Sequence, residues 1–171
     1  MLIGVARETW PGEVRSALVP ANATKLIKSG FSMSMESGAG LAAGFTDQSF
    51  ADAGVTVVGS RADVLAAADI FLAVRKPDTA EVAQLKSGAI SVSFLDPYNE
   101  RSLIEALAAQ GVTSISMEMI PRSTRAQKMD ALSSQANLAG YVTVVQAAYH
   151  SPKIMPMMMT PAGTIAPARV F

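Results

Sequence analysis

Val55-Thr56-Val57-Val58-Gly59-Ser60-Arg61-Ala62-Asp63-Val64-Leu65-Ala66-Ala67-Ala68-Asp69-Ile70-Phe71-Leu72-Ala73-Val74 is the stretch whose reading decides the fold class. It opens on a short β-branched run and a glycine. Ser60 and Asp63 then stand at capping-box spacing, residues 62–67 carry apolar side chains at helical spacing, and residues 70–74 are apolar throughout. A strand, a helix and a strand joined by short turns make a βαβ unit, and strands of this kind suit a sheet covered on both faces. The rhythm repeats in both directions. Residues 2–5, 31–35, 89–95 and 112–117 read as strands, and residues 21–29, 47–53, 80–85 and 102–109 as helices. Pro20 opens a helix that Gly30 closes, Gly54 and Gly111 follow helices, and Asp78 with Glu81 repeats the capping-box spacing. The expectation is an α/β domain with a doubly wound, mainly parallel sheet of about five to seven strands, Rossmann-like or flavodoxin-like, with helices on both faces.

The composition narrows the function classes. Fourteen basic and 14 acidic residues among 171 give no net charge, so no global field attracts nucleic acid or a membrane surface. There is no cysteine, which removes disulfides, thiolate metal sites and cysteine nucleophiles. His150, the sole histidine, has no His, Cys or carboxylate at ligand spacing, so no metal is expected. Residues 131–152 form the longest uncharged stretch, but Ser133, Ser134, Gln135, Asn137, Gln146 and His150 would each need a partner in lipid. That stretch reads as a buried helix of a water-soluble protein.

The last third departs from the βαβ rhythm. Residues 127–149 read as one long helix, followed by Pro156, three methionines, Pro161 and Gly163, and residues 168–171 read as the first half of a strand. The organisation expected is an α/β domain over residues 1–150 and a link, residues 151–171, into a dinucleotide-binding domain outside the chain.

Three features bear on chemistry. Gly38, Gly40 and Ala43 fit G-x-G-x-x-A after a strand, but Gly44 and Thr46 break the helix that should follow. The next strand ends in Gly59, Ser60 and Arg61, with no carboxylate for a ribose, so a structural turn is preferred to a nucleotide loop. Gln127, Asp130, Ser134, Asn137 and Tyr141 fall on one face of the long helix, with Ser133 beside it and Arg122 in the loop upstream. Short amides, hydroxyls and a single carboxylate suit a neutral polar ligand such as a carboxamide better than a merely solvated face would. Arg15 lies in a loop after Pro11 and Gly12, and Arg75 with Lys76 lies at the carboxyl end of a strand, where an anion can bind, though a surface pair explains Arg75 and Lys76 equally well.

These residues carry a resemblance. Ile3-Gly4-Val5-Ala6-Arg7-Glu8, Arg15-Ser16-Ala17-Leu18-Val19-Pro20, Glu36-Ser37-Gly38-Ala39-Gly40, Ala68-Asp69-Ile70 and above all the run from Pro121 to Tyr141 resemble the NAD(H)-binding alpha component of proton-translocating NAD(P) transhydrogenases, relatives of the alanine dehydrogenases. The resemblance implies that NAD(H) is bound mainly by a second domain that holds the true glycine fingerprint, and NADP(H) by a partner subunit. It implies that Arg122, near Asp130 and Ser133, holds the carboxamide of the dihydronicotinamide and that Gln127 reaches toward the incoming NADP(H). It further implies a membrane subunit as partner, a homodimer, and a cytoplasmic position peripheral to the membrane. In the alanine dehydrogenases an arginine matches Arg15, a lysine aligns at Arg75 and a histidine at or near Asp96. Phe94-Leu95-Asp96-Pro97 offers no histidine here, which leaves that activity as the alternative, beside a non-catalytic docking paralogue.

Overall fold

The computed structural model describes residues 1–169. Six parallel strands form one sheet in the order β3-β2-β1-β4-β5-β6: β1 Leu2–Val5, β2 Ser32–Glu36, β3 Thr56–Val58, β4 Ile70–Arg75, β5 Ile90–Phe94 and β6 Thr113–Ser116. Five helices connect them: α1 Pro20–Lys28, α2 Asp47–Asp52, α3 Arg61–Ala67, α4 Thr79–Val82 and α5 Arg101–Gln110. This is the doubly wound order, which reverses direction between β1 and β4.

Alternation along the strands builds a core on each face. Ile3, Val5, Met33, Met35 and Leu72 meet Ala23 and Leu26 of α1 and Phe50 of α2. Phe71 turns the other way and meets Leu65, Val82, Leu85, Leu103 and Leu107 from α3, α4 and α5. Gly4 lets α3 lie close against β1, since a Cβ there would stand 2.7 Å from the Ala68 Cβ. On the α1 face the cover stops short. Ile90 and Val92 pair with Ile70 and Leu72, yet both are only half-buried and Ile115 beyond them is 43% exposed.

The capping signals divide. Asp78 and Glu81 form the reciprocal capping box, whereas Ser60 accepts from the Asp63 N–H without the return bond. The glycine signature is a turn: Gly38 N–H donates to Asp47 at 2.8 Å, and Leu41–Ala43 is a single 3-10 turn rather than the start of a phosphate-binding helix. Gly40 packs on Phe50, whose ring would stand 2.4 Å from an added Cβ.

The last third corrects the reading of one long buried helix. Gln127–Met129 is a separate 3-10 turn, and helix α6, Ala131–His150, starts only after Asp130. No residue of α6 is buried, and Leu132 through His150 are all exposed. Its apolar side chains lie all round, the pattern of a helix that proteins enclose on every side, and nothing within residues 1–169 encloses it. After α6 comes a two-stranded antiparallel hairpin, β7 Met158–Thr160 and β8 Gly163–Ile165. Of the strand expected at residues 168–171, Ala168 and Arg169 are irregular, and Val170 and Phe171 lie outside the described residues. Among the described residues no helix is long and apolar enough to cross a membrane.

Overpacking at Gly40 tests the structural reading of the glycine turn. Gly40→Ala is expected to lower unfolding free energy by about 1–3 kcal/mol in urea titrations. Gly59→Ala, where an added Cβ meets nothing within 4 Å, should change it by less than about 0.5 kcal/mol.

Candidate functional site

After β6, a 3-10 turn at Met117–Met119 leads into an exposed loop, residues 120–130. Its backbone hydrogen bonds run within the loop: Ser123 N–H donates to Pro121 O at 2.9 Å, Ala126 to Ser123 O at 3.0 Å and Met129 to Ala126 O at 2.8 Å. Ala126, 5% exposed, anchors the middle, so Arg122, Thr124, Arg125, Gln127 and Lys128 stand in solvent.

The four expected site residues, Arg122, Gln127, Asp130 and Ser133, line one open cavity of about 290 Å³ with Ser123 and Thr124. They meet there for a different reason than a shared helical face. Gln127 belongs to the loop, and Asp130 is the N-cap of α6, accepting from Ser133 N–H at 2.9 Å and from the Ser133 hydroxyl at 2.6 Å. Those two bonds, and then the nearby charge of Arg122, hold the Asp130 carboxyl below its ordinary range against the opposing effect of burial. Arg122 itself makes no ion pair with Asp130 among the described residues, so the expected anchoring is a through-space attraction rather than a contact. Ser134, expected on the stripe, turns its hydroxyl back to the Asp130 and Ala131 carbonyls, and Asn137 and Tyr141 do not line the cavity.

A second cleft of about 480 Å³ brings together Arg15, Arg75, Lys76 and Asp96, with Trp10, Phe94, Glu118 and Gln135. Its cations are already engaged. Glu13, with its side chain 4% exposed, accepts from Arg15 Nη2 at 2.6 Å and from Arg75 Nε at 2.8 Å. The Arg15 hydrogen bonds chiefly, opposed by burial and reinforced by Arg75, hold the Glu13 carboxyl down at about 2. Arg15 Nη1 also reaches Gln135 Oε1 on α6 at 3.2 Å. Lys76 bonds Glu100 at 2.7 Å and stands 3.9 Å from Asp96, while Arg75 and Lys76 both lie over the Trp10 ring. Asp96 takes a left-handed backbone with φ +53. His150 meets the Tyr149 ring in an edge contact, and among the described residues no group of three or more potential ligands could hold a metal ion.

The sequence reading passed over Glu13 and Glu118. An acid two residues before Arg15 was the signal for the first. For the second it was a carboxylate set between Met117 and Met119 just where a strand ends.

A family profile described as "Alanine dehydrogenase/PNT, N-terminal domain" matches residues 4–139. The chain is 44% identical over its whole length to NAD(P) transhydrogenase subunit alpha of Cereibacter sphaeroides, of which it spans 33%. It is 33% identical, over 88% of its length, to alanine dehydrogenase of Mycobacterium tuberculosis strain H37Rv, of which it spans 40%. Among solved structures, transhydrogenase from Sinorhizobium meliloti superposes with a TM-score of 0.91 at 43% identity, covering 98% of this chain and 50% of that one. The chain thus spans half the length of these relatives, or less.

Glu13 makes the second cleft sensitive to acid. Its carboxyl titrates lower in the folded protein than in the unfolded chain, so the folded state binds fewer protons and gains stability that is fully present above about pH 4.5 and lost as pH falls toward 2. Allowing for the part-exposed arginines, the contribution is on the order of 2 kcal/mol. Urea titrations should find Glu13→Gln less stable than wild type by this amount at pH 6, with the gap closing between pH 4.5 and 2. A gap independent of pH would contradict the assignment.

Proposed function

The chain belongs to the family of alanine dehydrogenase and transhydrogenase N-terminal domains, and from that premise we propose that it is part of the NAD(H)-binding component of an NAD(P) transhydrogenase. In this reading residues 1–150 are the first domain and residues 151–171 the link to a second, which holds most of NAD(H). NADP(H) sits on a partner subunit, and a membrane subunit couples the reaction to proton movement. The protein is then a homodimer, cytoplasmic and peripheral to the membrane.

The observation that carries the reading is the gathering of Arg122, Gln127, Asp130 and Ser133 around one open cavity on an exposed loop. At about 290 Å³ the cavity is at the small end of ligand sites, with room for one ring and its carboxamide but not for a dinucleotide. The donor set fits that group. A guanidinium and a hydroxyl can donate to the carboxamide oxygen, and Asp130 retains acceptor capacity beyond its two bonds from Ser133. The bound nicotinamides supply the hydride chemistry, in which a hydride passes directly from one ring to the other. The chain's residues then need move no proton. Arg122 and Ser133 orient the ring, Asp130 holds Ser133 by two hydrogen bonds and attracts Arg122 through space, and Gln127 on the rim meets the second ring. Catalysis by such a site is positioning.

Two features disfavour the alanine dehydrogenase alternative. Glu13 already takes both Arg15 and Arg75, and Asp96, a carboxylate, stands where that enzyme's proton-donating histidine aligns.

The full-length subunit mixed with its NADP(H)-binding partner should reduce an acetylpyridine analogue of NAD at the expense of NADPH. Pyruvate-dependent oxidation of NADH by the subunit alone would overturn the reading. Gln127→Asn should slow hydride transfer about tenfold or more while leaving the NADH dissociation constant within about twofold. Arg122→Ala should raise that constant about tenfold, near 1.4 kcal/mol of binding. Calorimetric titration of the 171-residue chain alone with NADH should show no binding at micromolar concentration, because its only glycine signature is a packed turn.

A further inference from the structure

We propose that Glu118 is a positioning residue for the hydride-transfer cavity: its carboxylate clamps the root of the loop that carries Arg122 to the carboxyl end of β5. The proposal deepens the transhydrogenase reading and rests on it.

Glu118 accepts from three donors, two just past the end of β5 and one at the end of β6. Leu95 N–H reaches Oε2 at 3.2 Å, Asp96 N–H reaches Oε1 at 2.5 Å, and the neighbouring Ser116 hydroxyl reaches Oε2 at 2.7 Å. Burial pushes this carboxyl up, but the Ser116 hydroxyl and the Asp96 amide hold it below its ordinary range, so it is an anion at neutral pH. No lysine or arginine pairs with it among the described residues. An ion withdrawn from water without a countercharge is costly unless its hydrogen bonds are complete, and here those bonds come mostly from backbone amides. The role they define is mechanical.

The location supplies the link to function. Glu118-Met119-Ile120-Pro121-Arg122 is a short connection, and Pro121 fixes its own φ, so a shift of Glu118 passes to Arg122 with little slack. The loop beyond has only internal backbone bonds and one buried side chain, Ala126. Downstream its ties run through α6, which lies against the Met117–Met119 turn and whose Gln135 meets Arg15 Nη1 at 3.2 Å in an exposed contact. Of these ties the upstream clamp is the one that is ionic, threefold and half-buried, so it sets the height of the loop. The same clamp holds Asp96 at φ +53, which a non-glycine residue keeps only when its surroundings fix it.

The test is Glu118→Gln in the full-length subunit with its partner, beside Glu8→Gln. Glu8 makes the corresponding clamp on β4, accepting from Val74 and Arg75 N–H, but has no connection to the loop. Glutamine keeps the volume of glutamate but offers one acceptor oxygen and turns an NH2 toward an N–H. Both variants should lose a similar few degrees of Tm. Only Glu118→Gln should slow NADPH-to-analogue hydride transfer by tenfold or more with the NADH dissociation constant held within twofold, and only it should speed amide hydrogen exchange over residues 121–130. Equal effects of the two variants on the rate at equal Tm loss would overturn the proposal. So would wild-type exchange of the loop in Glu118→Gln, whatever the activity shows. A wild-type protein unable to pass hydride between nucleotides would sink the functional reading and, with it, the catalytic half of this proposal, while loop exchange would still decide the clamp.

Discussion

A parallel sheet runs out of partners at its carboxyl edge, where backbone N–H groups emerge from the ladder with no carbonyl opposite. This chain fills those places with carboxylates from the adjacent strand. Glu36, ending β2, accepts from Arg7 N–H just past β1. Glu8, following β1, accepts from Val74 and Arg75 at the end of β4, and Glu118, following β6, accepts from Leu95 and Asp96 at the end of β5. Such bonds are stronger than neutral ones, and each ties the start of one loop to the end of the next strand. Arg61, bonded to both Glu36 and Glu81, extends the stitching to α4. Both clefts are built on the edge so fixed, because the segments bearing Arg15, Arg75, Asp96 and Arg122 all leave from it.

Charge distinguishes the two clefts. Around the larger one, Arg15, Arg75 and Lys76 pair with Glu13, Asp96 and Glu100, so the cations are matched and no net positive field remains. The loop at 121–130 has Arg122, Arg125 and Lys128 against Asp130 alone. In a chain of zero net charge this local excess is where a negatively charged ligand or partner surface is drawn. Size and charge therefore disagree, and the excess of positive charge lies at the smaller cavity.

The strands were legible because each apolar run is bounded by glycine or a polar turn. β4 was placed from Ile70 onward and the structure extends it only to Arg75. The error at α6 has an identifiable source. Gln127 to Met129 keeps helical spacing into the true helix, and the break is a cap that spacing cannot reveal: Asp130 leaves helical geometry at ψ 89 and binds Ser133 N–H. Burial of α6 was misread because an apolar helix looks the same whether its own domain or another body covers it. Glu13 and Glu118 were passed over because what they do depends on distant partners. Glu118 meets Leu95 across 23 positions, and Glu13 meets Arg75 across 62. The roles of Arg122, Gln127, Asp130 and Ser133 came from the family resemblance, while the spacing pointed to a stripe that the structure interrupts.

That interruption divides the site mechanically. Arg122 and Gln127 sit on the loop held by Ala126 and the Glu118 clamp, so the sheet determines where they stand. Asp130 and Ser133 form the first turn of α6, whose apolar residues have no cover within residues 1–169. Most of a helix's stability in a protein comes from the packing of its side chains rather than from propensity, and each large apolar side chain left exposed forgoes about 1.5–3 kcal/mol of burial. Whatever encloses α6 therefore stabilises the helix and, through the Asp130 cap, sets the distance between the two halves of the cavity. Under the proposed function, a carboxamide bridging Arg122 and Ser133 would read that distance directly. Ring binding and the packing of α6 are then one equilibrium seen from two ends: cover that orders the helix tightens the cavity, and a ring held in the cavity favours the covered helix.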